Sequence, residues 1–199
     1  MSQVNIFLCG VGGQGIGMLA EVLIQACLRA GHKVKGMDTH GLAQRGGVVV
    51  SHLRLGEGVR SPEIPPGQAD IVLGLERLEA LRGALSMLKP GGSVVYYDCE
   101  YQPMHVRMGK AKYSSAAELE AAVAARGGGV ERVLVEGLPD VRMQNTALLG
   151  RLAGLGLIQG LTPELVEETL REVIPASALE DNLAVLRKAA LPVNAAHGG

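Results

Sequence analysis

The residues best suited to chemistry in this chain are ones that have no side chain. Gly10, Gly12 and Gly15 make the spacing G-x-G-x-x-G within Gly10-Val11-Gly12-Gly13-Gln14-Gly15. At such a turn the backbone amides can come close to a ligand, because no Cβ stands in the way. A helix opening there adds the positive end of its dipole, which favours an anion, and no acidic side chain in the loop opposes one. The same glycines would equally serve a tight strand-to-helix turn without a ligand, and spacing alone does not separate the two. A second glycine loop, Ala43-Gln44-Arg45-Gly46-Gly47, carries a cation. Gly46 and Gly47 permit close backbone approach, and the Arg45 guanidinium can fork onto a phosphate or carboxylate. A surface arginine in a flexible turn is the alternative.

The remaining reactive side chains form no catalytic set. There is no H-E-x-x-H, Walker A, or G-x-S-x-G pattern. His32, His40, His52, His105 and His197 lack metal-ligand spacing. Cys9, Cys27 and Cys99 stand far apart without a C-x-x-C and read as free, buried thiols of a reducing compartment. Glu118 and Glu120 read as a solvated helix face. No catalytic residue and no metal ligand is therefore expected here, and the chain reads as a binding component.

The elements that must position these loops follow from periodicity. Val4–Cys9 is an apolar strand running into the glycines, and Ile16, Leu19, Ala20, Leu23 and Cys27 have helical spacing after them. Gly31 is a natural C-cap. His32–Asp38 reads as a second strand. Asp38 near its end stands where a dinucleotide-binding unit often has an acid for a ribose hydroxyl, or else it simply opens a turn. Val48–Leu55 is the next strand, and Ser61–Gly67 is a rigid, proline-rich connection. Then come strand Ala69–Leu75, helix Glu76–Leu88 ended by Lys89-Pro90-Gly91-Gly92, strand Ser93–Tyr97 and a short edge strand at Val106–Met108. Helix Ser115–Arg126 and strand Val130–Val135 follow, and the rest is helical: Val141–Leu157, Pro163–Val173 and Leu179–Ala190. Thr162-Pro163 supplies a cap and first-turn proline, Ser177-x-x-Glu180 is a capping box, and Asn194–Gly199 look frayed. This alternation predicts a three-layer α/β fold, Rossmann-like, with a mostly parallel sheet covered by helices on both faces and a helical C-terminal segment. Both glycine loops should fall at the carboxyl edge of the strands.

The 199 residues suit a single domain, 1–199, with enough apolar content for a core. A net charge of −1 argues against a nucleic-acid surface, and with no tryptophan and one phenylalanine there is little to stack on bases. The amino terminus lacks a basic n-region, and Glu21 and the glycines interrupt its apolar run. The reading is a cytoplasmic protein without signal peptide or membrane span.

Taken together, Gly10–Gly15, Ala43–Gly47, Ser61–Gly67 and Asn145 ahead of a glycine-containing helix resemble the γ-type domain of 2-oxoacid:ferredoxin oxidoreductases. Within that family they are most like the small subunits of the indolepyruvate type. The resemblance spans nearly the whole chain. It implies an accessory subunit of a complex that turns a 2-oxoacid, of the aryl pyruvate class, and coenzyme A into acyl-CoA and CO2 while reducing ferredoxin. It places thiamine diphosphate and 4Fe–4S clusters on a large partner subunit, and implies a heterodimer or dimer of heterodimers (a heterotetramer) inactive without that partner. It also implies that Gly10, Gly12, Gly13, Gln14 and Gly15 face coenzyme A phosphates, with Arg45, Gly46, Gly47 and Asn145 in the same site. Two other functions compete: a stand-alone NAD-dependent dehydrogenase, which the glycine spacing and Asp38 support, and a regulatory nucleotide-binding module.

Overall fold

A computed structural model describes residues 3–38, 47–100 and 113–192. Six strands form one sheet: β1 (Val4–Val11), β2 (Val34–Asp38), β3 (Val48–Leu55), β4 (Ala69–Gly74), β5 (Leu88–Tyr97) and β6 (Gly129–Val133), in the order β2-β3-β1-β4-β5-β6. The strands β1, β4, β5 and β6 pair in parallel, and β3 runs antiparallel to both β1 and β2. The sheet is thus mostly parallel, with one reversed strand inserted between β1 and β2. That reversal follows from the sequence distance: only residues 39–47 separate β2 from β3, fewer than the dozen or so that a parallel crossover needs.

Alternation along β1 builds both faces. Ile6 and Leu8 enter one buried cluster with helix α1 (Ile16–Arg29), and Phe7 and Cys9 enter the other with helix α2 (Arg77–Met87). Helix α3 (Ala116–Ala124) packs beside α2, opened by a capping box of Ser115 and Glu118. Helices α4 (Gln144–Gly154), α5 (Pro163–Val173) and α6 (Ala176–Ala190) complete the layer on the α1 side. On α4, a Cβ at Gly150 or Gly154 would strike the carbonyls of Leu186 or Ala190, so these glycines let α6 cross in backbone contact. That contact seats the first turn of α4 against the start of α1.

Several sequence expectations shift. Lys89-Pro90-Gly91-Gly92 does not separate helix from strand: β5 begins at Leu88, and its register against β4 jumps between Ala69 and Ile71, so the Pro-Gly-Gly run is an irregularity inside the strand. The capping box at Ser177 and Glu180 does not form. Helix α6 starts at Ala176, three residues before the expected Leu179, with Pro175 as an N-cap that supplies no side-chain hydrogen bond. Helix α4 is entered through a 3-10 turn, Val141–Met143, capped by Asp140, and stops at Gly154. Thr162 caps α5 by accepting from the Leu165 N–H, and Gly31 (φ 85°) takes the left-handed turn after α1. The expected strand at Val106–Met108 and the tail from Asn194 lie outside the described residues. No helix among the described residues is long and apolar enough to cross a membrane.

Candidate functional site

The glycine loop joins β1 to α1 at the carboxyl edge of the parallel strands. Its amides do not all face outward. Gly12 N–H donates to Gly47 O (2.8 Å) and Gln14 N–H donates to Val11 O (3.1 Å). The first bond places Gly47 beside the first glycine loop, while Ala43–Gly46 lie outside the described residues. Gly13 (φ 100°) and Gly15 (φ 78°) are exposed and in the left-handed region that glycine tolerates. Gly15 is the N-cap of α1, which has no side-chain cap and no acid in its first turn. An N-terminus left in that state keeps backbone donors and positive dipole for an anion.

Gln14 turns inward. It is 3% exposed, its Oε1 accepts from Val11 N–H (2.8 Å) and its Nε2 donates to Leu75 O (3.1 Å). Leu75 N–H in turn donates to Cys9 O (2.8 Å). The side chain thereby fills the crevice between the ends of β1 and β4, where strand order reverses and a dinucleotide would otherwise enter. Gly10 lies in the same packed place, since a Cβ there would meet Leu75 Cβ at 2.9 Å and Gln14 Oε1 at 3.1 Å. The backbone of Asp38 lies away from this crevice. It pairs with Ser51 on β3, which pairs with Leu8 on β1, so it is two strands, about 10 Å, from β1. Both features count against the dehydrogenase reading.

Asn145 reaches the loop from its far side. It is 1% exposed, and its Nδ2 donates to Gln14 O (2.9 Å) and Gly15 O (3.1 Å). A Cβ at Gly15 would lie 2.7 Å from that nitrogen. Asn145 thus fixes the turn while its Oδ1 has no partner among the described residues. It also lines a cavity of about 370 Å³ with Gly15, Met18, Arg142, Ser177 and Asn182. Arg45 and Gly46 lie outside the described residues.

The neighbouring turn contains residues that periodicity did not single out. Glu76, fully buried, caps α2 by accepting from the Leu78 and Glu79 N–H groups, and it contacts Tyr113 Oη. Burial pushes the carboxyls of Glu76 and Glu79 up, against the pull of Arg82. Cys99 Sγ lies 3.4 Å from both Leu75 O and Gln144 Oε1. Burial pushes Cys99 and Cys27 up to about 12 and raises Cys9 as well, so all three remain thiols at neutral pH. They occupy separate places, and no group of metal-holding side chains occurs among the described residues. Both described histidines are tied into the fold: His52 Nδ1 accepts from Ile64 N–H and His32 Nε2 meets Gln159 O. A caps-and-turns signal, Glu at the end of an apolar strand followed by a helix, was the one cue to Glu76.

Comparison with known proteins gives the chain its relatives. The family model described as pyruvate ferredoxin/flavodoxin oxidoreductase matches residues 5–191. The chain is 35% identical over 189 residues to indolepyruvate oxidoreductase subunit IorB of Thermococcus kodakarensis, covering 92% of each chain. It is also 35% identical over 189 residues to the subunit of the same name in Pyrococcus horikoshii, again over 92% of each. Among solved structures, pyruvate oxidoreductase subunit PORC of Thermotoga maritima matches with a TM-score of 0.65 at 19% identity, over 96% of each chain. A 2-oxoglutarate:ferredoxin oxidoreductase of Magnetococcus marinus, solved with 2-oxoglutarate, coenzyme A and succinyl-CoA bound, matches with a TM-score of 0.67 at 19% identity. That match covers 95% of this chain and 30% of the other. At such identities the structural likeness speaks for the fold.

Proposed function

Because the chain belongs to the pyruvate ferredoxin/flavodoxin oxidoreductase family, we propose that it is the small subunit of a 2-oxoacid:ferredoxin oxidoreductase of the indolepyruvate type. In this reading a 2-oxoacid of the aryl pyruvate class and coenzyme A become acyl-CoA and CO2, with the electrons passed to ferredoxin. This chain contributes the edge that holds coenzyme A. A larger partner subunit holds thiamine diphosphate and the 4Fe–4S clusters, and turnover occurs only in the assembly, a heterodimer or a dimer of heterodimers. Cys9, Cys27 and Cys99 lie on separate elements and do not come together as a cluster's ligands must, which supports placing the clusters on the partner.

The observation that carries the reading is the joined edge. The Gly12–Gly47 hydrogen bond brings Gly47 to the first glycine loop, beside an α1 N-terminus that has neither side-chain cap nor acid. The exposed backbone of Gly13 and Gly15 fits the phosphates of coenzyme A, with Gly10 and Gln14 packed beneath and Asn145 holding the turn from behind. Arg45 and Gly46, next to Gly47, would add a forked cation on the same edge.

Arg45 gives the test. In the assembled complex, Arg45→Ala should raise the coenzyme A KM about tenfold or more, since a hydrogen bond to a charged group is worth roughly 1.5–3 kcal/mol. Arg45→Lys keeps the charge without the fork and should fall between. Wild-type coenzyme A dependence in both variants would remove Arg45 from the site.

A further inference from the structure

The proline-rich connection Ser61–Gly67, between β3 and β4, has no part in the coenzyme A edge, yet side chains of β3 fasten it to the sheet. Arg54 Nη1 donates to the carbonyls of Ser61 (3.0 Å) and Glu63 (3.1 Å), while its Nε donates to Asn5 Oδ1 (2.9 Å). Two residues earlier, on the same face of β3, His52 Nδ1 accepts from the Ile64 N–H (3.1 Å). Pro62, Pro65 and Pro66 have no N–H to give, and the Glu63 N–H turns back to Ser61 Oγ (3.2 Å). Ile64 is therefore the donor that anchors the middle of the strap. Its side chain is buried in the cluster that also contains Phe7, Ala69 and Val72.

That bond exists in one protonation state only. A backbone N–H can only donate, so Nδ1 must be bare and the ring neutral, with its proton on Nε2. Protonating Nδ1 sets one N–H against another and puts a charge on a ring that is 8% exposed and edge-on to Phe7. The charged groups on the elements around the ring are Lys35 of β2, Arg54 of β3, Glu63 of the strap, and Glu79 with Arg82 of α2. Lys35 Nζ donates to Arg60 O, and Glu79 is paired with Arg82. Glu63 favours the charged ring, but burial outweighs it and holds His52 below the ordinary histidine value.

We infer that His52 is an acid-sensitive latch on the Ser61–Gly67 strap: protonation at Nδ1 breaks its bond with Ile64 and lets the strap lift locally, without unfolding the sheet. Arg54 stays charged throughout, so its two bonds tether the Ser61 end while the Ile64 end moves. Lifting withdraws Ile64 from the cluster it shares with Phe7, a residue that also lines the groove of Cys9, Val48 and Val50. The closed ring binds its proton less readily than the released one. Closure is therefore fully favoured above the ordinary histidine value of 6.5 and is lost as pH falls through the lower closed value.

Amide hydrogen exchange of the full, isotope-labelled chain tests this, each rate taken relative to that of an unstructured chain at the same pH. From about one unit above 6.5 to about one unit below it, Ile64 protection should fall about threefold or more, while Val72 in β4 keeps its protection. Nitrogen shifts of the wild-type His52 ring should show a bare Nδ1 and a proton on Nε2 above that range. His52→Asn offers Oδ1 where Nδ1 stood and does not titrate, so Ile64 protection in it should be level with pH. Protection of Ile64 that is level in the wild type, or that falls equally in His52→Asn, overturns the inference. So does a fall shared by Val72, which is ordinary acid unfolding. A proton on Nδ1 of the neutral wild-type ring overturns it without recourse to any variant.

Discussion

Two strand-to-helix turns flank the same crevice and end in opposite ways. After β1 the chain turns through glycines, and α1 opens at Gly15 with no side-chain cap. After β4 the chain turns through Glu76, whose carboxyl takes the Leu78 and Glu79 N–H groups for itself. Beyond it Asp98 is held between Arg77 and Arg132. One turn leaves its first-turn donors without a side-chain acceptor, and the other satisfies them from within. Parallel strand–helix units present helix N-termini at the same edge, so topology alone does not choose a binding site. In the proposed function the N-cap residue does.

The largest effect should come from closing the open turn. Gly15→Val combines a left-handed backbone (φ 78°) with a Cβ 2.7 Å from Asn145 Nδ2. A destabilisation on the order of 3 kcal/mol is expected, seen as a fall in Tm of about 6–12 °C. If the variant melts like wild type, the turn is not held as described.

Opening the closed turn should cost less. Glu76→Ala removes the cap of α2 and one of the two acceptors of the Tyr113 hydroxyl, with an expected loss of about 2 kcal/mol in urea unfolding. It should not alter the coenzyme A KM of the assembled complex. A change in KM without loss of stability would move the ligand to the other side of the crevice.

The smallest effect is a slope with pH. Loss of hydration raises the Glu76 and Glu79 carboxyls in the folded chain. Each then holds its proton to a higher pH folded than unfolded. The stability this supplies is fully present below the ordinary glutamate value and is lost as pH rises through the folded value. Urea unfolding followed upward in pH from the ordinary glutamate range should show that decline, and Glu76→Gln, which does not titrate, should flatten it. A slope unchanged by the substitution would put the titration elsewhere.

How much of this was legible depends on whether a feature is local. The bounds of β3 and α5 follow from apolar runs and a Thr-Pro start. The exposed glycines of the first loop are equally plain. The direction of β3 was not legible, because its residues read the same either way along the sheet. The start of β5 was hidden because Pro-Gly-Gly normally punctuates, yet here it is absorbed as an irregularity against β4. Gln14 and Asn145 show the limit most clearly. Composition marks both as polar and near the site, but only the fold shows Gln14 plugging the crevice and Asn145 pinning Gly15 from 130 residues away.

The central claim is that the uncapped α1 turn receives an anionic part of coenzyme A, and Gly17→Asp tests it most directly. Gly17 lies in the first turn of α1, is exposed and has nothing within 4 Å of where a Cβ would stand. An acid there complements the helix dipole, so stability should hold or rise, while the same charge repels a bound anion. In the assembled complex, the coenzyme A KM should rise about tenfold or more with Tm retained. An unchanged coenzyme A KM in a stable, assembled Gly17→Asp variant would contradict the account.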